Sequence, residues 1–378
     1  MVSDIFRAFR FSRIRTGLAV VAALVLGSVA VLAAGSNVGA VTTPGAAYAD
    51  FSTPVGANPS WTSSLSMPGA AGFPAASIAT NSLSPSVPGG SSTWLSASTP
   101  FGAQFASSQN QKYFNFSPTT GQAMSTTTIT FASPTPVTGW GFALGDVDAE
   151  SIGVSATDAN GAPVASSDLG FQSSFNLCNI PSPKPSTCTG VVSYDTPAWV
   201  PGSNSGVLQG NVNDTVGASG WFMPAVPLRT LTLRSTNLSG IPTASLWIAS
   251  NLRVISGTVT EPDVAPAPST TTTVAPTTTS TTAPTTTTTV APTPNLDPVP
   301  DAVIQVIDAT GTVVAETTTD ANGDFNFPTI APGVYTLVEI PPAGALPPAN
   351  FPLTVDVTYG DATGIVVVNA PAVPKFTG

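Results

Sequence analysis

Residues 319 to 342 read Thr-Asp-Ala-Asn-Gly-Asp-Phe-Asn-Phe-Pro-Thr-Ile-Ala-Pro-Gly-Val-Tyr-Thr-Leu-Val-Glu-Ile-Pro-Pro, and no other stretch restricts the fold as strongly. Asn322-Gly323 offers two residues that tolerate positive φ, which predicts a tight hairpin between 315–319 and 324–327. Pro332-Gly333 turns the chain again. The run 334–340 then alternates, with Tyr335, Leu337 and Glu339 on one face and Val334, Thr336, Val338 and Ile340 on the other. Short strands this closely punctuated belong to a rigid β-sandwich rather than to a catalytic α/β scaffold.

Composition extends that reading to the whole chain. Charged residues make up only 8% of the 378 residues, and helix formers such as Glu, Lys, Arg and Gln are rare beside Ser, Thr, Ala, Gly, Pro and Val, so an all-β protein is expected. Its length predicts two domains. The formal net charge of −10 repels nucleic acid and anionic lipid. Histidine is absent, which removes Ser-His-Asp and Cys-His catalysis and imidazole zinc sites.

The N-terminus reads as a targeting segment. Arg7, Arg10, Arg13 and Arg15 precede an uncharged apolar run from Leu18 to Ala34, the layout of a secretory signal peptide. Small residues allow cleavage after Ala40 or after Ala49, so residues 1–49 are assigned to the signal; the alternative is an uncleaved N-terminal anchor. Export fits the two cysteines. Cys178 and Cys188 enclose a proline-rich loop, and a disulfide is expected between them in an oxidising compartment.

Strand signals place a first domain at 50–254. From 50 to 100 no period is clear, and loops with short edge strands are expected. Beyond it, alternation marks 111–117, 126–132, 137–144, 151–157, 190–194, 220–223, 230–235 and 245–255. Short strands separated by turns, among them Asp158-Ala-Asn-Gly161, predict a jelly-roll-like sandwich. The stretch 262–294 is almost wholly Thr and Pro, with Thr-Thr-Thr-Val-Ala-Pro at 271–276 and again at 287–292. Such a tract buries no core and is expected to be a disordered, extended insert offering hydroxyls for O-glycosylation.

Past the tract, strands are predicted at 302–308, 312–318, 324–327, 334–340, 351–357 and 364–369. The motifs Asp308-Ala-Thr-Gly311, Thr319-Asp-Ala-Asn-Gly323, Phe325-x-Phe327 and Pro332-Gly-Val-Tyr-Thr-Leu-Val-Glu339 with Pro341-Pro342 resemble the B-type repeats of Gram-positive surface adhesins, both the Ser/Asp-repeat and the collagen-adhesin kind. That resemblance implies a prealbumin-like, seven-stranded sandwich. Members often open on Ile-Ser-Gly-Thr-Val, and this chain has Ile255-Ser-Gly-Thr-Val-Thr260. The resemblance therefore places the first strand before the tract, a domain at 255–370 with 262–294 inserted in it, and a tail at 371–378. Collagen-adhesin B domains commonly join a first-strand Lys to a last-strand Asn with help from a Glu. Glu339 and Asn369 occupy those motif positions, but 255–260 holds no lysine, so no isopeptide bond is expected. Calcium in the acidic loop of the Ser/Asp-repeat kind is not expected either, because Glu261-Pro-Asp263 and threonines stand there.

Two further candidate sites come from the residues themselves. Asp146, Asp148 and Glu150 alternate, so an extended backbone would bring three carboxylates to one face, where Ca²⁺ would relieve their repulsion; the alternative is a solvated loop. Trp140 and Trp247 lie within strong strands and are expected in the core. Trp199 and Trp221, near Pro201 and Gly220, are the candidate exposed platforms for a sugar ring. The sequence thus predicts a secreted, non-catalytic structural or adhesive protein of the cell surface or extracellular matrix, without an organic cofactor. Its expected partners are a glycan or a matrix or cell-surface protein, with no nucleic acid and no membrane after signal removal. The alternative is a secreted carbohydrate-binding protein using Trp199, Trp221 and the acidic loop.

Overall fold

The computed structural model describes residues 45–119, 124–262, 296–348 and 351–371. The expected signal core, nearly all of the Thr/Pro tract and the end of the tail lie outside them. Strands are numbered in chain order. The first sandwich packs a six-stranded sheet on a nine-stranded one. The six-stranded sheet holds β1 (Ala46–Tyr48), β6 (Phe114–Phe116), β8 (Trp140–Gly145), β10 (Phe171–Asn176), β13 (Ala218–Phe222) and β15 (Ala244–Asn251). The other holds β2 (Asp50–Phe51), β3 (Val55–Ala57), β4 (Ser60–Ser66), β5 (Ala76–Thr80), β7 (Ser125–Phe131), β9 (Glu150–Asp158), β11 (Ala198–Pro201), β12 (Gly206–Gln209) and β14 (Leu228–Asn237).

The neighbour orders β6-β15-β8-β13 and β7-β14-β9-β12 follow from the pairings. Successive strands of that set mostly cross from one sheet to the other, which is the jelly-roll winding expected from the strand pattern. Strands β5, β4, β3 and β2 widen one sheet beyond β7. They lie in the stretch where no period was expected to be clear, because Ser and Ala give β4 and β5 little hydrophobic contrast despite their alternating burial. The expected strand at 190–194 is absent: that segment has no strand hydrogen bonds and Val192 is 90% exposed.

Strand β8 shows no alternation because its sheet is buried on both faces. Trp140, Phe142 and Leu144 enter the core between the sheets. Ala143, Trp221 and Trp247 enter a second core beneath α1 (Pro100–Phe105) and the disulfide loop. Thr99 caps α1 by accepting from Gly102 N at 3.0 Å, with Pro100 at the first helical position. Each large apolar side chain so buried contributes about 1.5–3 kcal/mol.

The second sandwich contains β16 (Arg253–Pro262), β17 (Leu296–Pro298), β20 (Asp324–Ile330) and β23 (Ala362–Val368) in one sheet. The facing sheet contains β18 (Val303–Ile307), β19 (Val313–Thr318), β21 (Val334–Ile340) and β22 (Leu353–Asp356). Strand β16 pairs antiparallel with β20 and parallel with β23. It also pairs with β17 through Thr260↔Pro298, Glu261↔Asp297 and Pro262↔Leu296, so the chain leaves this sheet at 262 and re-enters beside its own exit.

One expectation fails here. Strands β19 and β20 belong to different sheets, so Asn322-Gly323 closes an arch between sheets and not a hairpin. The turn is organised by Asp320, whose Oδ1 accepts from Asn322 N at 2.8 Å and Asp324 N at 2.9 Å. Asp158 and Asp308 build the same turn, each accepting from the amides two and four residues on. Gly323, at φ +77°, has no room for a Cβ, which would lie 2.4 Å from Val259 O.

The two sandwiches meet along a short seam. Ala71 N donates to Thr329 O at 2.8 Å, and Ala331 N donates to Ala71 O at 2.7 Å. Ala331 belongs to the core of the first sandwich. Tyr335 covers Gly72 and donates its hydroxyl to Ala331 O at 2.9 Å. A Cβ on Gly72, where φ is +87°, would stand 2.4 Å from that hydroxyl oxygen. Gly72→Val should therefore destabilise the protein by about 1–3 kcal/mol through overpacking, and Tyr335→Phe by about 1 kcal/mol through one lost buried hydrogen bond. Denaturant titration measures both; an unchanged midpoint for Gly72→Val would contradict the seam.

Candidate functional site at the loop end of the jelly roll

Three loops of the first sandwich are stitched together at one end. The β8–β9 turn is held from both sides. Val212 N donates to Asp148 O at 3.0 Å, Gly210 N to Glu150 O at 3.0 Å, and Leu238 N and Ser239 N both to Ala149 O at 2.9 Å. Ser239 Oγ closes the ring by donating to Val212 O at 2.8 Å.

The disulfide loop is tied to the same place. Cys178 and Cys188 are joined, as their spacing predicted, and a loop this short contributes about 2–3 kcal/mol in the chain-entropy view. Asn176 donates its Nδ2 to Asp195 O and Val216 O, while its Oδ1 accepts from Cys178 N. Leu177 N donates to Gly217 O at 2.8 Å. Gly217 N then donates to Asp146 Oδ1 at 3.0 Å. The crosslink therefore sets the position of the residue that orients Asp146.

The acidic residues do not form the expected cage. They occupy a turn and a strand start in place of one extended segment, and Asp146 sits at φ 62°, a left-handed conformation that aspartate tolerates. Among the described residues no group of three acidic side chains is placed to hold a metal ion. Asp148 instead accepts from Ala149 N and, at 3.2 Å, from Thr215 Oγ1. Glu150 is fully buried on the inner face of its sheet, with no side-chain partner for its carboxyl and only the Asp148 backbone opposing the rise of its pKa.

Burial raises all three carboxyls. Asp148 is pushed up to about 6 by burial and then by the charge of Asp146. Asp146 is raised by burial, with Asp214 adding to it. Glu150 is held well above the ordinary range by burial and by its neighbours Asp148 and Asp146.

Beside Asp146 lies a cavity of about 150 Å³ walled by Tyr113, Asn115, Gly217, Ser245 and Trp247. Tyr113 stacks on Trp247 at 4.7 Å between ring centroids. Ser245 Oγ donates to Asn115 Oδ1 at 2.9 Å. Sequence reasoning named Asp146 but missed Tyr113, because nothing in its local pattern marks a partner more than a hundred residues away.

The expected aromatic platforms are occupied by protein. Trp221 is buried, donates Nε1 to Ser173 Oγ at 2.9 Å and meets Phe101 edge-on. Trp199 is half-buried, stacked on Phe171 at 5.4 Å with its edge toward Phe222. Burial of Trp140 and Trp247 agrees with the strand pattern.

In the second sandwich Asn369 Nδ2 donates to Glu339 Oε1 at 2.8 Å. Both side chains are buried, and Glu339 Oε2 and Asn369 Oδ1 have no partner. Burial raises the Glu339 carboxyl, opposed by that hydrogen bond. Strand β16 supplies no amine to attack Asn369, and Lys375 lies outside the described residues. The pair is a carboxyl–amide hydrogen bond closing the end of the domain.

Residues 293–370 match the family model of the SpaA prealbumin-like fold domain. The second sandwich is a prealbumin-like domain. No curated protein matches the chain. Among solved structures, the major pilin subunit of Bacillus cereus is 12% identical, with a TM-score of 0.21, 68% of this chain and 72% of that one covered. The group B streptococcus pilus 2b backbone protein is 13% identical, with a TM-score of 0.18, 68% of this chain and 98% of that one covered. The T6 backbone pilin of serotype M6 Streptococcus pyogenes is 11% identical, with a TM-score of 0.18, 80% and 63% covered. Within the prealbumin-like domain, β16 begins well before the matched segment, on the other side of the Thr/Pro tract.

The pH dependence of the loop end has a definite sign. A carboxyl whose value is raised on folding holds its proton more tightly in the folded state, so its contribution is complete below 3.8 and is lost as pH rises through about 6 for Asp148. Asp148→Asn should therefore flatten that part of the stability profile and gain on the wild type at pH 7.5 relative to pH 3.5. Urea unfolding at the two pH values measures this; identical profiles would contradict the buried carboxyls.

Proposed function

We propose that this chain is a secreted, non-catalytic structural or adhesive protein of the cell surface or extracellular matrix. The observation that carries the reading is the prealbumin-like match at 293–370, joined without a linker to a jelly roll. On this reading the second sandwich is a rigid spacer with the Thr/Pro tract inserted between β16 and β17, and the jelly roll presents its stitched loop end to a protein or glycan partner. The alternative, a carbohydrate-binding protein using Trp199 and Trp221, draws little support from side chains that are packed against Phe171, Phe222 and Phe101. The cavity at Asp146 does not replace them, since about 150 Å³ is below the roughly 300 Å³ at which ordinary small-molecule sites begin.

Export also has a structural consequence. Ala46, Ala47 and Tyr48 are buried and paired with Asn251, Ser250 and Ala249. Tyr48 further donates its hydroxyl to Ala106 O at 2.8 Å. Cleavage after Ala49 would remove β1 and uncover β15, whereas cleavage after Ala40 keeps it. Cell fractionation with N-terminal sequencing of the mature protein should find it in the medium or on the cell surface, beginning at Val41. A cytoplasmic protein would overturn the proposed function, and a mature chain beginning at Asp50 would overturn the assignment of the cleavage site.

A further inference from the structure

Among the described residues, one sheet edge lacks the protection that the others carry. An open edge offers unpaired amides and carbonyls to any other strand, and proteins blunt it with proline, with charge or with a covering segment. Edge strands β11, β17 and β20 carry Pro201, Pro298 and Pro328, and β19 and β22 carry Glu316 and Asp356. Strand β6 is bridged by Ser86, and β10 is crossed by 195–197 through hydrogen bonds from Ser174 and Asn176. Strands β1, β2 and β3 are only two or three residues long. Strand β23 differs. Residues 362–370 read Ala-Thr-Gly-Ile-Val-Val-Val-Asn-Ala, with neither a charge nor a proline, and β23 pairs with β16 on one side only.

The phase of its backbone follows from one bond. Asn369 N donates to Thr260 O at 2.8 Å. In a parallel ladder the residues that bond one neighbour alternate with those that face away, so Ile365, Val367 and Asn369 bond β16. Val366 and Val368 therefore turn their amides and carbonyls outward, and their side chains are 56% and 38% exposed. At one end the free stretch stops where the register shifts beside Gly364, at φ +72°. At the other it stops at the bridge between Ala370 and Leu346. Its centre is Val367.

We propose that β23 is a self-association edge, pairing antiparallel with β23 of a second copy so that this sheet of the prealbumin-like domain continues through both chains. About a two-fold axis at Val367, Val366 of each copy meets Val368 of the other, and each such pair exchanges two bonds, about four in all. The valine side chains then meet across the strands, and the contact is closed, because the same patch is used by both copies. Charge favours a second copy at this place. Two chains of net charge −10 repel one another over most of their surfaces, whereas this strip is neutral and the nearest acid, Asp361, is engaged by Val254 N at 3.0 Å. Pairing would display two jelly rolls on one unit, which raises avidity for a repetitive surface.

The test is sedimentation velocity of the mature protein from low to several hundred micromolar, with hydrogen exchange followed at single amides. An edge this short falls at the low end of specific interfaces, so a monomer–dimer equilibrium in the micromolar range is expected, tightening as NaCl screens the net charge. On dimerisation the amides of Val366 and Val368 should exchange slower by roughly tenfold or more, while that of Val367, bonded in both states, stays unchanged. Val366→Lys sets like charges on both sides of the axis, and Val366→Pro removes an outward amide without touching a bond to β16. Each should leave a folded monomer and abolish association, whereas Val207→Lys, on an exposed position of the first sandwich, should associate as the wild type does. If Val366→Pro fails to fold, Val366→Lys and the exchange pattern decide. A monomer at every concentration would overturn the proposal, as would a dimer that survives Val366→Lys. Association that appears only after residues 372–378 are removed would also overturn it, by giving the edge to the chain's own tail.

Discussion

The pairing of β16 with β20 and β23 is the interaction on which the rest of the architecture depends. Strand β15 ends at Asn251 in the first sandwich and β16 begins at Arg253 in the second, so a single residue separates the two sheets. That residue, Leu252, packs against the jelly-roll core and donates its amide to Gly45 O at 2.9 Å. On the far side of the joint, Val254 N donates to Asp361 Oδ1 at 3.0 Å. With no slack in the chain, the seam at Ala71, Ala331 and Tyr335 needs little area to fix the sandwiches together.

The same strand explains where the Thr/Pro tract can be. A low-complexity stretch between two folded segments would ordinarily be a linker, but here the sheet closes across it through Thr260↔Pro298 and its neighbours. Both ends of the tract are therefore hydrogen-bonded to each other. Loop-closure entropy grows only slowly with length, so a long insertion at such a point costs the domain little. The proposed display role draws on this connectivity: the tract is inserted within one domain and does not separate the two sandwiches.

Much of this was legible in the residues. Alternation in 334–340 put Tyr335, Leu337 and Glu339 on one face, which is the buried face of the strand, and Ile255-Ser-Gly-Thr-Val pointed, through the resemblance, to the strand before the tract. Strand phase placed Trp140 and Trp247 in the core. What failed did so for identifiable reasons. Asn322-Gly323 was expected to close a hairpin, but local turn chemistry does not say whether the next strand joins the same sheet, and here Asp320 organises the turn. Trp221 stands beside glycines and was expected at the surface, yet its sheet is covered on its outer face by α1 and the disulfide loop, layers that no periodicity in β13 reveals. The alternate spacing of Asp146, Asp148 and Glu150 assumed an extended segment, whereas the chain turns there. Glu150 finds its facing residue, Asn237, nearly ninety positions away, through strand pairing that only the fold supplies.

The central claim is that β16 belongs to the prealbumin-like domain across the tract. It is tested most directly by inserting a specific protease site within 263–295, cutting the folded protein, and comparing native size-exclusion with denaturing electrophoresis. The two fragments should co-elute as one species of unchanged size and separate only in denaturant, because β16 remains hydrogen-bonded to β20, β23 and β17. Fragments that part under native conditions would show that the tract is a linker between independent domains and would contradict the account.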